Sequence, residues 1–142
     1  MSTNSVSAQT SVPDWMLTYC RQLSAVRYER KLNGMYLHML ESFLNNEPWK
    51  ALPPYPWQVA RIHGGRKDSS VRKNADKGWV PMNMHIPTDL YERITKAIEL
   101  INANGYSSTL RRNMSMRTFL YTSVCWWITF VYPYEGPGII PN

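Results

Sequence analysis

Between Trp79 and Pro133 the sequence carries a strand that cannot be stable by itself. In Val80-Pro81-Met82-Asn83-Met84-His85-Ile86-Pro87, alternation puts Met82, Met84 and Ile86 on one face and Pro81, Asn83 and His85 on the other. One face is apolar; the other can form hydrogen bonds. Pro87 ends the strand and Thr88 offers an N-cap. Leu90, Ile94, Ala97, Ile98 and Ile101 then recur at helical spacing until Asn104-Gly105 supplies a left-handed stop. A second helix follows, capped by Ser115 or by the alternatives Ser107 and Ser108, with Leu120, Val124, Trp127, Ile128 and Val131 as its apolar stripe before Pro133.

A half-buried strand without a nearby hairpin partner leaves two open edges, so it requires a second strand. The same strand of a second copy, paired antiparallel about a twofold axis, supplies one and lets the helices of both copies close over the apolar face. The expected fold is therefore mainly α with one short strand, in a homodimer whose core holds Met82, Met84, Ile86, Leu90, Ile94, Ile98, Leu120, Val124 and Ile128. A competing partner is the weakly alternating Trp57-Gln58-Val59-Ala60-Arg61-Ile62, whose pairing within the chain would remove the need for a second copy.

Met82 to Pro87, followed by Thr88-Asp89-Leu90, Asn104-Gly105 and Ser115-Met116-Arg117-Thr118-Phe119-Leu120-Tyr121, resembles the ribbon-helix-helix DNA-binding proteins of the Arc and MetJ type. The resemblance covers roughly the last two fifths of the chain. It implies a homodimer whose ribbon enters the major groove, with the start of the second helix gripping a phosphate. Carried across by position, Asn83 and His85, with Pro81, face the bases, while Ser115, Met116 and Arg117 meet the DNA backbone. The chain departs from the pattern between its helices, where Tyr106 to Met114 replace the few residues usual in the family.

Ahead of this region, residues 1–11 are rich in Ser, Thr, Asn and Gln and read as a flexible tail. Residues 12–62 read as a helical hairpin and a Pro/aromatic segment, together an N-terminal helical extension. Its helices run from Pro13 to Val26 and from about Met35 to Leu44, with Gly34 as the break or as a weak point in one long helix. Packing against the main core, binding a protein partner and serving as a second DNA-binding element are all open to this hairpin. Trp49, Tyr55 and Trp57 among Pro48, Pro53, Pro54 and Pro56 indicate a docked segment. Residues 63–78 are a basic linker whose Arg72, Lys73 and Lys77 lie just ahead of the strand, where they can track phosphates. Residues 79–133 form the ribbon-helix-helix domain and 134–142 an irregular C-terminal tail.

The 142 residues, 44% hydrophobic and 18% charged, suffice for one modest core, and the net charge of +6 favours an anionic partner. Cys20 and Cys125 form neither a disulfide framework nor a metal cluster, which fits a reducing cytoplasm, and the polar start does not have the order of a signal peptide. The apolar run from Phe119 to Tyr132 is too short to span a bilayer. His38, His63 and His85 are scattered and no nucleophile setting is present, so neither catalysis nor a cofactor or metal is expected. The expectation is a cytoplasmic, sequence-specific double-stranded DNA-binding protein, a transcriptional regulator. Alternatives are a plasmid partition or conjugation accessory factor, an antitoxin, which usually carries the reverse domain order, and a protein-interaction module without specific DNA binding.

Overall fold

The computed structural model describes residues 4–61, 78–110 and 112–134. Two strands, β1 (Ser5–Pro13) and β2 (Trp79–Pro87), pair antiparallel within the one chain. Helices α1 (Asp14–Arg27) and α2 (Leu32–Asn46) follow β1; α3 (Thr88–Ala103) and α4 (Met116–Trp126) follow β2. α4 runs on into a π-helical turn over Trp127–Val131. The chain is therefore two consecutive strand-helix-helix units that share a ribbon.

Ser5 lies opposite Pro87, Gln9 opposite Asn83 and Pro13 opposite Trp79, so a local twofold passes through the Gln9 and Asn83 pair and exchanges the units. The helix starts obey it. Pro13 and Pro87 occupy the N-cap positions of α1 and α3 and provide no side-chain cap. Each helix instead takes its first acceptor from the residue leading into the opposite strand: the Asp14 N–H donates to the Gly78 carbonyl, and the Thr88 N–H donates to the Asn4 carbonyl at 3.1 Å.

This ribbon overturns the expected fold class. In place of a second copy, or of the segment beginning at Trp57, β2 pairs along its length with β1, which lies mostly in the segment expected to be a flexible tail. The reason lies in the core face of β1, which carries Val6, Ala8, Thr10 and Val12. These side chains are small or β-branched, so they form strand without producing a strong apolar signal. They are also what fits opposite the long side chains of β2, since Ala8 faces Met84 and Thr10 faces Met82.

Nor are α1 and α2 an extension. α2 packs on β2 and on α4, while α4 packs on β1. The residues expected in a dimer core, Met82, Met84, Ile86, Leu90, Ile94, Ile98, Leu120, Val124 and Ile128, are all buried, in one cluster with Met16 and Cys20 of α1 and Met35, Met39 and Phe43 of α2. The burial that required a second chain is completed inside the first.

The two helix pairs turn differently. Between α1 and α2 the chain reverses through Glu29 and Arg30 at φ +52° and +67°, with the Arg30 N–H on the Ser24 carbonyl, and Gly34 sits inside α2 instead of breaking it. Between α3 and α4 the longer loop turns at Gly105 and is tied down by Asn102. The Oδ1 of Asn102 accepts from the Met114 N–H at 2.7 Å and from the Ser107 hydroxyl at 2.8 Å. Ser107 is thereby engaged in the loop, and α4 opens after Ser115, whose hydroxyl accepts from the Thr118 N–H.

The Pro/aromatic segment is docked. Trp49 and Trp57 stack at 5.6 Å beside Phe43 and Phe119, and the Trp57 indole N–H donates to the Tyr106 carbonyl. Gln58 holds Thr122 of α4 through its backbone, without strand geometry. Among the described residues no helix is long and apolar enough to cross a membrane.

Candidate functional site

With Met82, Met84 and Ile86 turned into the core, the opposite face of the ribbon points outward and exposes Ser7 and Gln9 of β1 and Asn83 and His85 of β2. At the centre, the Gln9 amide donates to Asn83 Oδ1 at 2.7 Å. One step along, the Ser7 hydroxyl lies 3.3 Å from His85 Nδ1. These cross-strand pairs hold the four side chains in a row. Each pair spends only part of its capacity: the Gln9 side-chain carbonyl, the Asn83 amide N–H groups and His85 Nε2 have no partner among the described residues. The face therefore presents acceptors and donors to an incoming hydrogen-bonding surface.

The second helix of each unit starts against the strand of the other unit. At the start of α2, the Asn33 side chain donates to the His85 carbonyl at 2.9 Å and accepts from the His85 N–H at 2.8 Å, filling the outer edge of β2. At the start of α4, Arg117 takes the corresponding place on β1. Its guanidinium donates to the Ser11 hydroxyl at 2.6 Å and to the Arg61 carbonyl at 2.9 Å, and its own carbonyl accepts from Thr10 at 3.0 Å. Lys31 precedes α2, Arg112 precedes α4, and both are exposed, as is Arg117. Cations thus stand at both helix starts that flank the ribbon.

The structure brings Asn83 and His85 together on the exposed face and leaves Pro81 half-buried at its covered end, opposite Ser11. Ser115 caps α4, Met116 is half-buried and Arg117 is exposed. Arg72, Lys73 and Lys77 lie outside the described residues. Sequence reasoning missed Ser7, Gln9 and Asn33. The first two carried a usable signal: Ser5 to Val12 alternates, and Val12-Pro13-Asp14-Trp15 closes it with the same apolar-Pro-polar step as Ile86-Pro87-Thr88-Asp89.

Other reactive side chains are engaged in packing. His38 accepts or donates to the Tyr28 hydroxyl at 2.8 Å and lies edge-on to Trp127. Cys20 and Cys125 are buried free thiols, and burial pushes each up to about 12, with the neighbouring Cys125 adding to the effect on Cys20. An open apolar groove of about 650 Å³ separates Pro53, Pro54, Tyr55 and Pro56 from Trp126 and Phe130. Among the described residues no group of His, Cys, Asp and Glu could hold a metal ion. Compared with known protein families, curated proteins and solved structures, the chain matches none of them.

Proposed function

We propose that the chain is a cytoplasmic double-stranded DNA-binding protein, a transcriptional regulator, that inserts its ribbon into the major groove as a single-chain counterpart of the ribbon-helix-helix dimers it resembles. The observation that carries this reading is the exposed row of Ser7, Gln9, Asn83 and His85 on a two-stranded ribbon flanked by two helix starts. A two-stranded ribbon has the width of the major groove, and Asn and Gln can pair bidentately with adenine while His can donate to guanine. The starts of α2 and α4 add backbone N–H groups and the side chains of Lys31 and Arg117, a combination suited to phosphate. The net charge of +6 acts in the same direction.

Fluorescence anisotropy with duplex DNA at several salt concentrations tests the reading. Contact with about four phosphates should lower affinity by roughly 10²-fold between 50 and 200 mM salt. Alanine at both Gln9 and Asn83 should reduce discrimination between a selected duplex and random duplex, with thermal unfolding showing that the fold persists. A partition or conjugation accessory factor would share this chemistry and differ in the DNA locus it selects. A protein-interaction module is the second reading, favoured by the open groove beside Trp126 and Phe130. Binding to duplex that is absent, or insensitive to salt, would sink the first reading and leave the second.

A further inference from the structure

The twofold that relates the units fails on the face that would meet DNA. Gln9 and Asn83 sit at its centre. At one end, Ser7 and His85 are exposed and can form hydrogen bonds. At the other end the cross-strand pair is Ser11 and Pro81. Pro81 has no side-chain donor or acceptor. Ser11 is fully buried: its hydroxyl donates to the Arg61 carbonyl and accepts from Arg117. The equivalent helix residue at the open end, Asn33, binds only the backbone of His85 and leaves the imidazole outward. Among the described residues, the covered end therefore offers the exposed Arg117 and, at Ser11 and Pro81, the positions equivalent to His85 and Ser7, no side chain able to read a base edge.

A ribbon made from two identical strands must read two identical half-sites, because every side chain occurs twice about the axis. Here the two ends differ in kind. We propose that the chain recognises an asymmetric, non-palindromic duplex in one fixed orientation. Base specificity is confined to the centre and to the half-site beneath Ser7 and His85. The opposite half-site is held through its phosphates by Arg117 without regard to sequence. This inference rests on the DNA-binding reading and goes beyond it by naming the class of site.

The test is selection of bound duplexes from a randomised library by the full-length protein, followed by competition binding with two synthetic palindromes. Each palindrome duplicates one half of the selected site. The His85-side palindrome should bind within about two-fold of the selected site, because the covered end does not discriminate; the palindrome of the other half keeps only the centre and should bind about ten-fold or more weaker. Ser7→Ala and His85→Ala should relax preference only on the specified half. Arg117→Gln should weaken selected and random duplex by the same factor and leave the consensus unchanged, with thermal unfolding confirming each fold.

A palindromic consensus, or two palindromes of equal affinity, overturns the asymmetry while the DNA-binding reading stands. Salt-dependent binding with no consensus overturns it likewise. Loss of all salt-dependent binding to duplex overturns both.

Discussion

Asn33 shows how one side chain can complete a ribbon. Both outer edges of a two-stranded ribbon have unpaired backbone groups, and at His85 the Asn33 side chain supplies a donor and an acceptor together. Asn33→Ala should lower stability by about 1–2 kcal/mol, measured as a shift in denaturant midpoint, whereas Asn33→Gln places the amide too far out and should restore little of it. Backbone conformation gives a contrasting pair. Gly34 lies in the first turns of α2, where an added Cβ would meet only Lys31 Cβ, at an ordinary contact distance of 3.6 Å. Gly34→Ala should therefore raise stability by roughly 0.5–1 kcal/mol, chiefly by restricting the unfolded chain. Arg30 holds φ +67°, a conformation costly to a residue with a Cβ, so Arg30→Gly should stabilise by up to about 1 kcal/mol. Equal or lower thermal midpoints for Gly34→Ala and Arg30→Gly would contradict these assignments.

At the scale of elements, the ribbon is the joint between the units. Neighbouring residues on β2 have opposite fates, since Met84 is fully buried and His85 is exposed. Met84→Lys forces an ammonium without a partner into the core and should cost about 3–5 kcal/mol, a large share of the stability of an ordinary domain. His85→Lys should leave the stability, measured by denaturant unfolding, within about 0.5 kcal/mol of the parent. A Met84→Lys protein as stable as the parent would show that Met84 does not face the core. Removing residues 1–13 deletes β1, strips the hydrogen bonds from one edge of β2 and uncovers Met82 and Met84. The truncated chain should lose cooperative unfolding in circular dichroism, whereas a flexible tail in that place would be dispensable.

For the molecule as a whole, pairing β2 internally removes the reason for a dimer built on that strand, so sedimentation should give the 16.6 kDa of one chain. Alkaline stability follows from the core. Cys20 and Cys125 are buried with their ordinary value of 9.0 raised to about 12, and burial also raises Tyr36, Tyr55 and Tyr121. A group whose acid dissociation is suppressed on folding binds more protons in the folded state between its two values, so stability must fall there as pH rises. The thiol contribution should be intact below about pH 9 and lost progressively as pH rises toward 12. Denaturant midpoints at pH 7, 9 and 10.5 should be flat and then falling. Before unfolding, neither thiol should react with a maleimide at neutral pH.

From the sequence alone, alternation in Met82 to Ile86 determined which side of β2 is buried and which carries Asn83 and His85, because strand periodicity is local geometry that any partner must respect. The stripe from Leu90 to Ile101 determined α3 in the same way, whereas the start of α4 stayed open between Ser107, Ser108 and Ser115 until the structure tied Ser107 to Asn102 and placed the cap at Ser115. The partner of β2 was not legible. Val6, Ala8, Thr10 and Val12 cover an apolar face by being small opposite Met82, Met84 and Ile86, and complementarity of size leaves little mark on hydropathy. Only the tertiary structure decided that the second strand comes from the same chain. It also decided that Ser11 is buried under Arg61 and Arg117 while Ser7 stays open, because that difference arises from contacts between segments far apart in the chain.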